Sequence, residues 1–336
     1  MPTFKSRTGF LLLAILFAPA LFAAERGTIL GGAPHAAPDW FKESFLEIAD
    51  DVDEASEEGR HVMLFFQLNA CPYCDRMLTE SFESDPNMSY IQEHFDVIAI
   101  NVKGDREIAF NDEVSVLEKE LAEMLQVRAT PAILFLNADN QQVVRVNGYR
   151  APDRFSHVLS YVSSKSYETT KLADYLDANL KRDVYTLRPS SLFSKVSDLS
   201  AVKGPLAVIF EDSTCLDCPE FHDRMLSRQD VMEELGKFTV VRLDTDSTET
   251  IVDVDGEQLP PAALSRKYAM TYRPGVLVFD GGELIRRSDS LLYSFHFREG
   301  LRFVADGYHK RMTYREYSEA RREELLAAGV DINLAD

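Results

Sequence analysis

Cys71-Pro72-Tyr73-Cys74 follows an apolar run, His61 to Leu68, and precedes a stretch with helical character. The run reads as a buried strand. Pro72 suits the first turn of a helix, where a missing N–H costs nothing. Cys71 then stands at the helix N-terminus, where unpaired N–H groups and the positive end of the dipole favour an anion. A thiol placed there ionises more readily, and the thiolate is the attacking species. Cys74, one turn later, shares the same face and can close a disulfide with it. The stretch points to thiol–disulfide exchange.

At 336 residues the chain is long for one core, so two domains are expected. A formal charge of −19 argues against a nucleic-acid partner and leaves no polybasic membrane patch. Lys5 and Arg7 precede an apolar run, Gly9 to Ala24, that ends in small residues. Such a run is shorter than the ~20 apolar residues a bilayer asks for and reads as a secretory signal. Residues 1–24 are therefore expected to leave, with cleavage after Ala20, Ala23 or Ala24. The mature protein is expected to be soluble and extracytoplasmic, in the periplasm.

The chain has 4 cysteines, Cys71, Cys74, Cys215 and Cys218, all in two C-x-x-C pairs. Structural bridges in an exported protein usually join distant segments, and so short a loop gains little from closure. Redox work is the better reading. A c-type haem site needs histidine directly after the second cysteine, where Asp75 and Pro219 stand. A zinc ribbon wants its pairs ~15–20 residues apart, and from Cys74 to Cys215 is 215 − 74 = 141 positions. No cofactor and no metal are expected. Cys215, Cys218 and His222 could make a metal corner, but a lone histidine is more often surface or core.

Working outward, Trp40, Phe41, Phe45, Leu46 and Ile48 recur at helical spacing before the acidic run Asp50 to Glu58, which predicts a helix ending near Gly59. Further strands are predicted at Asp96–Val102, Ala132–Leu136 and Val143–Val146, with helices over Val114–Leu125 and Arg154–Ser163. Residues 25–37, small and Pro/Gly-rich, read as a flexible lead. Helices between strands and a closing hairpin give a mixed sheet with helices on both faces.

These pieces resemble the thioredoxin superfamily: the strand into Cys71-Pro72-Tyr73-Cys74, the helix after it, and Val127-Arg128-Ala129-Thr130-Pro131 before a strand. The resemblance implies a cis bond at Pro131, with Thr130 and Pro131 lining a groove beside the cysteines. The Pro-Tyr dipeptide is the one seen in glutaredoxins. The longer helix looks more like exported bacterial thioredoxin-like proteins, including the type encoded with sulfur-oxidation genes. The family's tryptophan before the first cysteine is replaced by Ala70. The buried aspartate of typical members aligns with Phe65, so Cys74 needs another proton acceptor.

The second half repeats the first. Leu206–Phe210 leads into Cys215-Leu216-Asp217-Cys218, Phe238–Leu243 is a strand, Ala262–Tyr268 a helix, and Arg273-Pro274 precedes Gly275–Phe279. From Cys71 to Pro131 is 60 positions (131 − 71), and from Cys215 to Pro274 is 59 (274 − 215). Even the helical tails correspond, Phe155–Leu180 with Phe297–Leu325. The reading is an internal duplication: an α/β chain of two tandem thioredoxin-like folds. The expected domains are 38–165 and 189–310, joined by a helical linker at 166–188 and followed by a helical tail at 311–336.

The resemblance makes Cys71 the attacking residue and Cys74 the resolving one. Arg273 and Pro274 take the places of Thr130 and Pro131 for the second pair, and Arg273 is expected to face Cys215 and Cys218. Glu211, Asp212, Asp217 and Glu220 crowd that pair and should disfavour its thiolate. Expected partners are proteins with exposed cysteines or disulfides, met at an open, shallow edge. Exported relatives often depend on a membrane electron carrier, which makes one an expected donor. The alternative is a non-enzymatic module of the same fold that docks a metal or a partner.

Overall fold

The computed structural model describes residues 25–336, so the expected signal peptide lies outside the described residues. Each half is built on one four-stranded mixed sheet. In the first half, His61–Gln67 runs parallel to Phe95–Asn101 and antiparallel to Ala132–Leu136, which pairs with Gln142–Asn147. In the second, Leu206–Glu211 runs parallel to Thr239–Asp244 and antiparallel to Gly275–Asp280, which pairs with Glu283–Ser288. The two sheets share one strand order and one set of directions, so the duplication read from the sequence is a duplication of fold.

The central strands are apolar along their length because helices cover both faces. Side chains alternate between the faces with period two. Met63 and Phe65 pack with Phe82, Phe155 and Leu159 on one side, while Val62, Leu64 and Phe66 pack with Ile48, Val52 and Leu121 on the other. Ala207 and Ile209 against Leu206, Val208 and Phe210 repeat the division in the second half.

Three predicted elements differ. The helix expected from Trp40 begins only at Ile48 and runs to Glu57. Leu46 has φ +65°, a left-handed turn that no helix can pass through, and the turn leaves Phe45 97% exposed. Val114–Leu117 is a strand paired with Glu107–Asn111, and the helix is confined to Glu118–Met124. The lead at 25–37 is tied down: Ile29–Leu30 pairs in parallel with Ile332–Asn333 at the other end of the chain.

The helical tails match as expected. Pro152–Ser163, a left-handed Lys165, a 3₁₀ turn and Leu172–Asn179 correspond to Ser294–Ala305, a left-handed Gly307, a 3₁₀ turn and Tyr314–Ala327. The expected linker at 166–188 is thus helical only to Asn179. Beyond it the chain runs without regular structure across the second half. Among the described residues no helix is long and apolar enough to cross a membrane.

Candidate functional site

Cys71 caps the helix Pro72–Met77, with extended backbone (φ −91°, ψ 108°) and proline at the first helical position. The Cys74 N–H donates to Cys71 Sγ at 3.1 Å. That N–H of the helix start is shared with the Cys71 carbonyl oxygen, also at 3.1 Å, and it favours negative charge on the sulfur. Cys71 and Cys74 are joined in a disulfide with Cα atoms 5.3 Å apart. Cys71 retains 5% exposure and Cys74 none. Thr130 lies beside the outer sulfur, its Oγ1 at 3.4 Å and its carbonyl oxygen at 3.7 Å from Cys71 Sγ. The Thr130–Pro131 and Arg273–Pro274 bonds are both cis. Asn69, Ala70, Arg128 and Ala129 remain exposed around this corner. Cys71, Cys74 and Thr130 therefore come together, with Pro131 next in the chain.

The second pair is built differently. Cys215 and Cys218 form a disulfide with Cα atoms 5.4 Å apart, and both are fully buried. The helix there begins at Cys218, so Cys215 stands three residues before its first turn instead of capping it. Among the described residues no backbone N–H donates to the Cys215 sulfur. The crowding carboxylates are each paired off. Asp212 takes Arg273 Nε at 2.7 Å, Glu211 takes His222 Nε2 at 2.7 Å, Asp217 takes the Tyr272 hydroxyl at 2.6 Å, and Glu220 takes Arg224 at 3.2 Å. Their repulsion of a thiolate is correspondingly weakened. Arg273 does not present a free charge to Cys215 and Cys218: Asp212, Thr245, Ser265 and the Tyr272 carbonyl hold its guanidinium. Arg273 and Pro274 are buried and line no open groove. His222, weighed as a metal ligand, is committed to Glu211.

The edges bearing the two pairs face each other, which leaves the corner around Ala70 and Arg128 as the exposed part of the first. Tyr73, between the cysteines of the first pair, stacks on Tyr293 of the second half at 4.4 Å between ring centroids. Its hydroxyl accepts the Tyr293 N–H at 2.6 Å and donates to His296 Nδ1 at 3.0 Å. Arg76, one turn past Cys71, reaches Glu220 beside Cys218 at 3.4 Å. Gly148 (φ +75°) sits so close to Ser290 that any side chain there would collide with it. Arg150 lies over the Tyr272 ring and donates to the Asp289 carbonyl at 2.7 Å. Arg154 donates to Thr271 O at 2.8 Å and to Thr214 Oγ1 at 3.3 Å. None of these positions carries a local sequence signal, since their partners are 60 to 223 residues away.

Burial shifts several titrating groups, His296 at the seam and His61 inside the first half among them. It pushes His296 down to about 4, aided by Arg286, which keeps the imidazole neutral and able to accept from Tyr73. Burial likewise pushes His61 down to about 4. Burial would raise Asp212, but Arg273, Thr214 and Thr245 outweigh it and hold that carboxylate at about 2. The sign follows for each. An unfolded imidazole binds its proton near 6.5 and the folded one near 4, so stability present above 6.5 is lost as pH falls through that window. Asp212 stability is present above the ordinary carboxylate value of 3.8 and is lost toward about 2. Chemical denaturation at pH 7 and pH 4.5 is expected to show a loss of about 1–2 kcal/mol for His61 alone, solvent screening of the partly exposed ring included. A His61→Gln variant should show a smaller loss over the same interval.

Residues 48–163 match the family model described as a thioredoxin-like domain. No curated protein matches the chain. Among solved structures, a thioredoxin-fold protein from Helicobacter pylori is similar at 24% identity over 36% of this chain and 79% of that one, with a TM-score of 0.32. A thioredoxin from Thermus thermophilus matches at 23% identity over 42% of this chain and 89% of its own, TM-score 0.29. A disulphide isomerase from Xylella fastidiosa matches at 18% identity over 40% and 95%, TM-score 0.25.

Proposed function

We propose that this chain, whose residues 48–163 form a thioredoxin-like domain, is an exported thiol–disulfide oxidoreductase acting on protein cysteines. The observation that supports the reading is Cys71 itself: a helix-capping sulfur with the Cys74 N–H donating to it and Thr130 alongside. In the reducing direction the Cys71 thiolate attacks a partner disulfide. An S–S bond forms between Cys71 and the partner, and one partner sulfur leaves as a thiolate. Cys74 then attacks Cys71, closing the Cys71–Cys74 disulfide and releasing the second partner sulfur. Two electrons pass to the partner and two protons follow. The oxidising direction is the reverse.

Thr130 is where an extended partner segment would lie, with buried Pro131 behind it and the Pro131 carbonyl held by the Gly148 N–H at 2.7 Å. The domains at 38–165 and 189–310 are the proposed working units, with the first as the reacting one. Cys215, Cys218, Arg273 and Pro274 take the matching places in the second half, but burial of all four favours a docking role while the halves are closed. The periplasm is the proposed compartment and a membrane electron carrier the proposed donor. A Cys74→Ser variant tests the reading: mass spectrometry should find protein partners covalently held on Cys71. No captured species would overturn it.

A further inference from the structure

The geometry points to a latch on the second disulfide: the strap Leu180–Arg188 closes Cys215–Cys218 to exchange until it lifts. This rests on the reading of the chain as a thiol–disulfide oxidoreductase only in supposing that the second pair has a redox role to withhold. The strap follows the linker helix Leu172–Asn179 and brings Tyr185 and Leu187 to the pair. Tyr185 packs on Cys215 and Cys218, with Leu187 against the same small cluster. Its hydroxyl donates to the buried Glu211 at 3.2 Å. The N–H groups of Val184 and Tyr185 both donate to Ser213 O, at 3.0 and 3.3 Å.

Outside this seat the strap is held loosely. Arg182 pairs with Asp246 and Arg188 with Asp223, and all four side chains are substantially exposed. Exposed pairs of that kind contribute about 0–1 kcal/mol each. Lys181, Arg182, Asp183 and Thr186 face solvent. The strap is seated by the Tyr185 ring and hydroxyl, by the Ser213 carbonyl, by buried Leu180 at its start and by Arg242, which donates to the Arg188 carbonyl at its end. A segment with so few buried apolar contacts opens locally at a fraction of the cost of global unfolding. Cover over the first pair is partial: Tyr73 packs on Tyr293, yet Cys71 keeps 5% exposure, Ala70 is exposed and Thr130 is half-buried.

Reduction by a small dithiol reads the latch. A dithiothreitol thiolate attacks one cysteine sulfur, breaking its S–S bond and freeing the other cysteine as a thiolate. The second dithiothreitol sulfur then closes its own ring and releases the first cysteine, so two electrons pass to the pair. The intact folded chain is incubated for timed intervals, quenched with iodoacetamide and mapped by peptide mass spectrometry.

Cys71–Cys74 is expected to open at least about tenfold faster than Cys215–Cys218. Tyr185→Ala should speed the second pair about tenfold and leave the first within about twofold, and Tyr185→Phe should fall between. Equal opening in the intact chain, or no response to Tyr185→Ala, overturns the latch. If circular dichroism shows Tyr185→Ala unfolded, Tyr185→Phe decides: without the Glu211 contact the second pair must open several-fold faster. A chain that shows this pattern yet catalyses no protein reduction keeps the latch and loses the oxidoreductase reading. A catalytic chain without the pattern does the reverse.

Discussion

Cys71→Ser is expected to bring dithiothreitol-driven reduction of a disulfide-bonded test protein down to the uncatalysed background, a loss of about a hundredfold or more. The expectation rests on the difference between the two pairs. Cys71 caps its helix and accepts the Cys74 N–H, whereas Cys215 precedes its helix and both its sulfur and that of Cys218 are buried. Cys215→Ser should therefore leave most of the turnover in place. Turbidity of the reduced test protein gives both rates. An unchanged rate in Cys71→Ser would move the chemistry elsewhere, and equal losses in the two variants would make the halves equivalent.

Asp289→Ala is expected to cost about 3–5 kcal/mol of unfolding free energy, the range for breaking a buried ion pair from one side. Asp289 accepts the Thr271 and Tyr272 N–H groups at 2.6 and 2.8 Å and the Thr271 hydroxyl at 2.7 Å. Its carboxylate also lies 3.5 Å from Arg150 of the first half, and both side chains are almost wholly buried. Truncation leaves a guanidinium without its counter-charge and two N–H groups without acceptors, each unmet group costing about 1–3 kcal/mol. Asp289→Asn keeps one oxygen and should recover part of the loss. Because Arg150 reaches across the seam, small-angle scattering of the Ala variant should show the halves further apart. A loss below about 1 kcal/mol would mean that water replaces the contact at no cost.

Much of this was legible in the sequence where chemistry and period coincide. The apolar run before Cys71, Pro72 at the helix start, Thr130-Pro131 before a strand and the near-equal spacing in the second half each have a local cause. The misread elements also have causes. Val114, Val116, Leu117 and Leu121 fit a helical stripe, yet Val114 and Val116 alternate on a hairpin, and the Glu107–Asn111 partner decided the matter. Nothing in Phe45-Leu46 announces a left-handed residue. The strap sets Leu180, Val184, Tyr185 and Leu187 among charged residues, with no regular period to find. The seam depends on Tyr73, Arg150, Tyr272 and Asp289 meeting across long separations, and pattern reading has no access to that.

Tyr73 stands inside the reactive loop and is also a foothold of the second half. Any change of its setting when the neighbouring sulfurs gain or lose their bond must alter the grip between halves. By thermodynamic reciprocity the grip must alter the electron affinity of those sulfurs by the same amount. For a two-electron couple, about 1.4 kcal/mol of such coupling is about 30 mV. The second half would thus act as a built-in ballast on the potential of the first, and severing the two should retune the couple even with every atom of the first C-x-x-C left in place.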